Sequence, residues 1–260
     1  MSWLKQYGEW AVVSGASDGI GRELARELAA SGLSLVLVAR RAGALRALAD
    51  ELAAAHGIDT EVVATDLSKG VEEVVAAAEG KDVGLLVAAA GFGTSGRFVD
   101  ASLDDELAMV DVNCRSVCAL AHHFGRRFAA QRRGGIVLMS SLLAFQGVPR
   151  AANYAATKAY VQSLAEGLHV ELAPFGVAVL ACAPGPIRSG FAARARMTMG
   201  LAQRARAVAR PTLAALGKRT TVRPGWLSKL LEASLMFLGR WLRVRVMSLV
   251  MSQMTKESPR

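Results

Sequence analysis

Cysteine is scarce: Cys114, Cys118 and Cys182 form an odd, scattered set in a chain of 260 residues, which excludes a disulfide-framed scaffold. The four histidines, His56, His122, His123 and His169, stand in no ligand spacing with them, so no metal site is expected. Cys114 and Cys118, four apart in an apolar helical run, read as core residues. Long apolar runs are missing too. Stretches such as 83–90 fall well short of the roughly 18 to 20 residues that span a bilayer, and no transmembrane helix is expected. The first residues lack the basic start, apolar run and small-residue cleavage site of a secretory signal, so a cytoplasmic location is expected. Aromatic residues are 6% and charged residues 20% of the chain, yet 52% is hydrophobic. That is enough apolar material for one substantial core, and too much for disorder.

Acidic residues are missing from one end. Residues 1–187 hold 16 Lys/Arg against 20 Asp/Glu, whereas residues 188–260 hold 15 against 2. Such a basic segment suits nucleic acid, anionic lipid, an anionic substrate or a solvated arginine-rich face.

The pattern of what is present is an alternation of apolar strands and helical segments. Strands are expected at 10–14, 33–39, 61–65, 83–90, 136–140 and 177–182, the fifth preceded by a turn at Gly134-Gly135. Between them helical patterns run over 20–30, from about 42 to 55, over 71–78, 103–130 and 154–174. Near-continuous aliphatic strands joined by crossover helices require a parallel sheet with helices on both faces, a Rossmann-like doubly wound α/β fold of about seven strands. The whole of 1–260 is expected to form one such domain. After Pro184 the alternation loosens into a basic helical stretch at 201–216 interrupted at Pro211, a short strand at 219–222 and an amphipathic segment at 226–242. Residues 188–260 read as a substrate loop and C-terminal extension of that domain.

The first strand ends in Ser14-Gly15-Ala16-Ser17-Asp18-Gly19-Ile20-Gly21. Glycines at such a strand-to-helix turn let the backbone approach phosphates, and the free N–H groups of the helix's first turn supply donors. The same stretch matches the G-x-S-x-G nucleophile elbow, but only one strand precedes Ser17, so no earlier strand-loop exists to supply an oxyanion hole.

Several motifs in order resemble the short-chain dehydrogenase/reductase family over about 8–190. They are the turn Gly15-x-x-x-Gly19-Ile20-Gly21, Asp66-Leu67, Asn113, Ser141, Tyr154-x-x-x-Lys158, and Pro184-Gly185-Pro186-Ile187-Arg188-Ser189. The family usually shows N-N-A-G or N-A-A-G after the fourth strand, where this chain has Ala88-Ala89-Ala90-Gly91. The side-chain amide that steadies that part of the sheet is therefore absent, while backbone contacts from Ala90 and Gly91 are kept.

The resemblance implies a hydride transfer between a nicotinamide cofactor and a small-molecule carbonyl or secondary alcohol. Tyr154 gives or takes the proton, Ser141 hydrogen-bonds the reacting oxygen, and Lys158 tunes Tyr154 and holds the nicotinamide ribose. Asn113 completes a water-linked relay. Cofactor contacts are implied for Gly15, Ser17, Asp18, Gly19, Ile20, Gly21, Asp66, Leu67, Ala90, Gly91, Tyr154, Lys158, Pro184, Gly185 and Ile187. Lowering a phenol from a pKa of about 10 to about 7 takes roughly 4 kcal/mol. An ammonium one helical turn away at Lys158 is one expected source, and the oxidised nicotinamide ring adds a second positive charge.

The second strand ends in Arg40-Arg41, where an acidic residue would accept from an NAD ribose. A guanidinium suits a 2′-phosphate instead, so NADP is expected, with Ser17 and Arg40 as contacts. The mixture of arginine and apolar residues at 188–210 suits a plain solvated helix face, or an extended apolar substrate with an anionic head such as an acyl thioester. The tail from Trp226 admits packing on the protein's own body, cover for the active-site mouth, a subunit contact in a homodimer or tetramer, or peripheral contact of a C-terminal helix with an anionic membrane. Two other functional classes stay open: a non-catalytic NADP-binding or membrane-associated regulatory protein, and nucleic-acid binding by the tail. Ser141, Tyr154 and Lys158 together favour the enzyme, and no nucleic-acid partner is expected.

Overall fold

In the computed structural model the described residues are 3–195, 197, 202–225 and 239–255. The strands of the main sheet are β1 (Trp10–Ser14), β2 (Ser34–Ala39), β3 (Thr60–Ala64), β4 (Val83–Ala88), β5 (Gly134–Met139), β6 (Val177–Cys182) and β9 (Thr221–Val222). They lie parallel in the order β3-β2-β1-β4-β5-β6-β9. A separate two-stranded ribbon pairs β7 (Ile187–Arg188) with β8 (Gln203–Arg204).

Aliphatic runs become central strands here because both faces are covered. Val12 packs in one apolar cluster with Val36, Leu86 and Phe124, while its neighbour Val13 packs on the opposite side with Leu24, Leu37 and Leu45. Val12 stands in register with Val36 of β2 on one side and Leu86 of β4 on the other. The strand order therefore reverses at β1 and β4. A crevice opens beyond the carboxyl ends of strands at such a point.

The helices are α1 (Gly19–Ala30), α2 (Ala42–His56), α3 (Glu72–Ala77), α4 (Leu103–Val110), α5 (Ser116–Gln131), α6 (Ala152–Leu172), α7 (Gly190–Arg194) and α8 (Arg206–Ala215). The last, Arg240–Met254, is called α9. The helix expected over 103–130 runs on from α4 into α5 through a π turn at Asp111–Arg115.

Four expectations are corrected. Gly134 and Gly135 lie inside β5 rather than in a turn, because Phe128 and Leu85 press on them: a Cβ would come within 2.4 Å of Phe128 and 2.5 Å of Leu85. Cys118 is exposed and Cys114 half-buried, leaving Cys182 as the buried thiol. α8 passes through Pro211 without a break, held by the burial of Val208, Ala209, Thr212 and Leu213. The strand expected at 219–222 is only the two residues of β9, which pair with Ala181 and Cys182. The amphipathic stripe expected at 226–242 lies outside the described residues except for its last positions, as does Leu201. Among the described residues no helix is long and apolar enough to cross a membrane.

Candidate active site

A cavity of about 620 Å3 opens at the carboxyl ends of the central strands. Its floor is the turn between β1 and α1. Gly15 has φ +72°, and a Cβ there would come within 2.7 Å of the Ala89 and Ala90 backbone; a Cβ on Gly21 would come within 2.4 Å of the Gly15 carbonyl. Only glycine fits either place, which is why this turn can hold α1 so close to β4. Asp18 caps α1, its carboxylate accepting from the Gly19 N–H at 2.7 Å. Ser17, Asp18, Gly19, Ile20 and Gly21 all face the cavity.

The wall beyond β4 is held without the missing side-chain amide. The Ser14 hydroxyl accepts from the Ala90 N–H at 3.2 Å, and the Asn113 amide accepts from the Phe92 N–H at 3.1 Å and donates to the Phe92 carbonyl at 2.9 Å. Asn113 also donates to Thr157 Oγ1 at 3.0 Å, and Thr157 donates to the Tyr154 carbonyl at 2.8 Å. Asn113 is thus fully buried behind the wall rather than lining the cavity. It clamps the loop after β4 to the helix carrying Tyr154. A Cβ on Gly91 would lie 2.9 Å from Asn113 Oδ1 and 3.3 Å from Lys158 Nζ, so this wall also requires glycine.

At the end of β2 both Arg40 and Arg41 face the cavity. Arg41 is the one that touches Ser17, donating to its carbonyl and hydroxyl at 3.3 Å each. Sequence reasoning singles out Arg40 for this corner and misses Arg41, although the two stand as adjacent guanidinium groups in the chain. Asp66 and Leu67 close the same end. The Ser68 N–H, 3.1 Å from the Asp66 carboxylate, holds that carboxyl below its ordinary value, with help from the Ser68 hydroxyl and the Arg40 charge.

At the opposite end Ser141, Tyr154 and Lys158 converge. Ser141 starts a short 3₁₀ turn and accepts from the Leu143 N–H at 3.2 Å. Tyr154 and Lys158, one turn apart on α6, are both buried. Lys158 Nζ donates to the Met139 carbonyl at 2.8 Å and lies 5.8 Å from the centre of the Tyr154 ring. Burial pushes the Tyr154 phenol up to about 12, partly opposed by its hydrogen bond with Ser141, and pushes Lys158 down to about 8. The acidified phenol expected from Lys158 and the oxidised nicotinamide is not what this chain's own residues produce: burial, which disfavours the phenolate, is the largest influence on Tyr154. Pro184, Gly185 and Ile187 complete this end.

The remaining wall is apolar. Phe191 packs against Tyr154 with ring centres 5.2 Å apart and the rings tilted by 53°. Arg194 sits 5.0 Å above the Phe92 ring and pairs with Asp105 at 3.0 Å. Met247, Val250, Met251 and Met254 of α9 roof the opening with Met197. Of the readings left open for the tail, α9 packs on the protein's own body, Met247 and Met251 joining Met109, Val148, Ala151 and Tyr154 in one apolar cluster, and there lines the cavity. Its methionines recur at helical spacing further along the chain than the leucine stripe at 226–242, so the sequence carries the signal, but beyond the segment that its leucines mark out.

A family model described as short chain dehydrogenase matches residues 9–200. A 7beta-hydroxysteroid dehydrogenase from Collinsella aerofaciens is 34% identical over 181 residues, covering 69% of each chain. The human inactive hydroxysteroid dehydrogenase-like protein 1 is 33% identical over 186 residues, covering 70% of this chain and 56% of that protein. Among solved structures, a short-chain dehydrogenase from Sphingobium yanoikuyae in complex with NADPH superposes with a TM-score of 0.79 at 27% identity, covering 89% of this chain and 96% of that one. The chain belongs to the short-chain dehydrogenase family.

Proposed function

We propose that this chain is an active NADP-dependent oxidoreductase that interconverts the ketone and secondary alcohol of a bulky apolar substrate. One observation carries the reading: a single cavity joins a glycine turn at a helix N-terminus, a pair of guanidinium groups and a buried Ser141-Tyr154-Lys158 set. The residues fit a dinucleotide. The first-turn N–H groups of α1 and the Gly15-to-Gly21 backbone suit a pyrophosphate, Asp66 and Leu67 an adenine edge, and Lys158 a ribose. Arg40, Arg41 and Ser17 supply donors for a 2′-phosphate. When bound, the cofactor supplies the hydride.

The protein's own residues handle the oxygen and its proton. A phenol pushed up to about 12 is protonated at neutral pH, so Tyr154 is ready to donate to a ketone oxygen that Ser141 also binds. The reverse reaction needs the phenolate, which favours higher pH. The methionine and phenylalanine wall excludes water and takes apolar bulk, since thioether side chains adapt to irregular shapes. A relative described as inactive lies among the matches, so activity here rests on the site rather than on kinship. Ser141, Tyr154 and Lys158 are all present and face one cavity, which favours catalysis over a binding role alone.

The test is Tyr154→Phe. It is expected to bind NADPH with wild-type affinity, read by nucleotide fluorescence, and to lose reduction of bulky ketones by a factor of about 10² to 10⁴. Undiminished reduction would remove Tyr154 from the mechanism.

A further inference from the structure

The cofactor turn and the substrate roof, 172 residues apart in sequence, meet at one carboxylate. Asp18 Oδ1 accepts from the Gly19 N–H at 2.7 Å and Oδ2 from the Gly190 N–H at 2.9 Å. Gly19 opens α1 and Gly190 opens α7. The segments touch as closely as glycine allows: a Cβ on Gly190 would lie 2.7 Å from Asp18 Oδ2, and one on Gly19 would lie 3.1 Å from Ser189 Cβ.

The residues of α7 beyond Gly190 form the wall of the substrate side. Phe191 packs on Tyr154 and closes over Gly93, where a Cβ would come within 2.8 Å of its ring. The far end of α7 is fastened independently, by the Ser95 hydroxyl donating to the Ala195 carbonyl at 2.6 Å and by the pair of Arg194 with Asp105. The near end is tied to the cofactor turn through Asp18, beside its own Ser189 cap and the β7–β8 pairing.

We propose that Asp18 is a positioning residue that latches the start of α7 to the dinucleotide turn, so that the placement of Phe191 beside Tyr154 depends on the state of that turn. Both carboxylate oxygens are engaged, one by each segment. A phosphate attracted to the end of α1 competes for the same N–H groups and repels the carboxylate, which shifts its hydrogen bonding from Gly19 towards Gly190. The roof is then held tighter when the cofactor turn is filled. The latch itself stands on the Gly19 and Gly190 contacts, while its effect on turnover rests on the oxidoreductase reading.

Two variants test it. Asp18→Asn keeps one acceptor for the N-cap of α1 but turns the second oxygen into a donor. Gly190→Ala changes no residue of the cofactor turn and inserts a methyl group against Asp18 Oδ2, where a Cβ would lie 2.7 Å away. Trypsin cleavage after Arg188 and Arg194, read by mass spectrometry, reports release of the roof with and without NADPH. Both variants are expected to be cut about tenfold faster than wild type and to lose the protection that NADPH gives wild type. Gly190→Ala, which changes no residue of the cofactor turn, is expected to bind NADPH within about threefold of wild type, with the KM for a bulky ketone raised about tenfold and kcat within about threefold. Cleavage and KM at wild-type values in both variants, or weaker NADPH binding with unchanged KM, would overturn the proposal. Retained circular dichroism in at least one variant guards against misfolding. If wild type binds no NADPH the oxidoreductase reading fails, and cleavage of the cofactor-free proteins still decides the latch.

Discussion

The two ends of the cavity are built in different ways. The cofactor end is backbone geometry: Gly15, Gly21 and Gly91 sit where any Cβ would strike neighbouring atoms within 2.9 Å, in the segments that follow β1 and β4, whose side chains are buried apart from Trp10. The substrate end is side chains: Phe191, Met197 and the methionines of α9, on segments outside the main sheet. The first kind of wall tolerates almost no change and discriminates little among substrates. The second accepts change and sets what enters.

That contrast can be broken from the rigid side first. Gly21→Val is expected to abolish NADPH binding and to lower the thermal midpoint by several degrees, since its Cβ would come within 2.4 Å of the Gly15 carbonyl in the tightest part of the turn. Calorimetric binding together with a thermal scan checks it, and a variant that binds and melts like wild type would show that the turn is not tight. At the phosphate corner, Arg40→Ala combined with Arg41→Ala is expected to reduce the preference for NADPH over NADH by about 10- to 100-fold, the loss of one or two charge-assisted contacts. Comparing kcat/KM for the two nucleotides measures this. The smallest effect belongs to the adaptable side. Met251→Ala is expected to raise the KM for a bulky ketone by about three- to tenfold, to leave NADPH affinity unchanged, and to alter the ranking of ketones of different size. A uniform loss across all ketones would mean that α9 acts on folding rather than on fit.

The same contrast explains what could be read from the chain. The parallel sheet, its alternation of strands and helices, and the glycine turn at 15–21 were legible because their constraints are local: a turn, a helical period, an aliphatic run. Ser141, Tyr154 and Lys158 were marked out by the family resemblance, and the fold brings them to one cavity. Contacts between distant segments were not. Ser14 taking the place of an absent amide at Ala90, Asn113 bracing Tyr154 through Thr157, and Asp18 reaching Gly190 join residues whose proximity only the folded chain creates. Gly134-Gly135 looks like a turn because glycine usually marks one, whereas here Phe128 and Leu85 exclude any side chain from the strand. The phenol differs for a related reason. One neighbouring charge is visible in a Tyr-x-x-x-Lys spacing, whereas the burial that raises the phenol belongs to the whole site.

The pH dependence of the two reaction directions tests most directly whether Tyr154 moves the proton. Ketone reduction needs the phenol protonated, so its rate is expected to hold through neutral pH and fall as pH rises past the phenol's pKa; alcohol oxidation needs the phenolate and is expected to rise through the same value. Mirror-image profiles sharing one pKa, with that pKa absent from the residual activity of Tyr154→Phe, are the predicted result. Profiles that do not mirror each other, or the same pKa persisting in the variant, would contradict it.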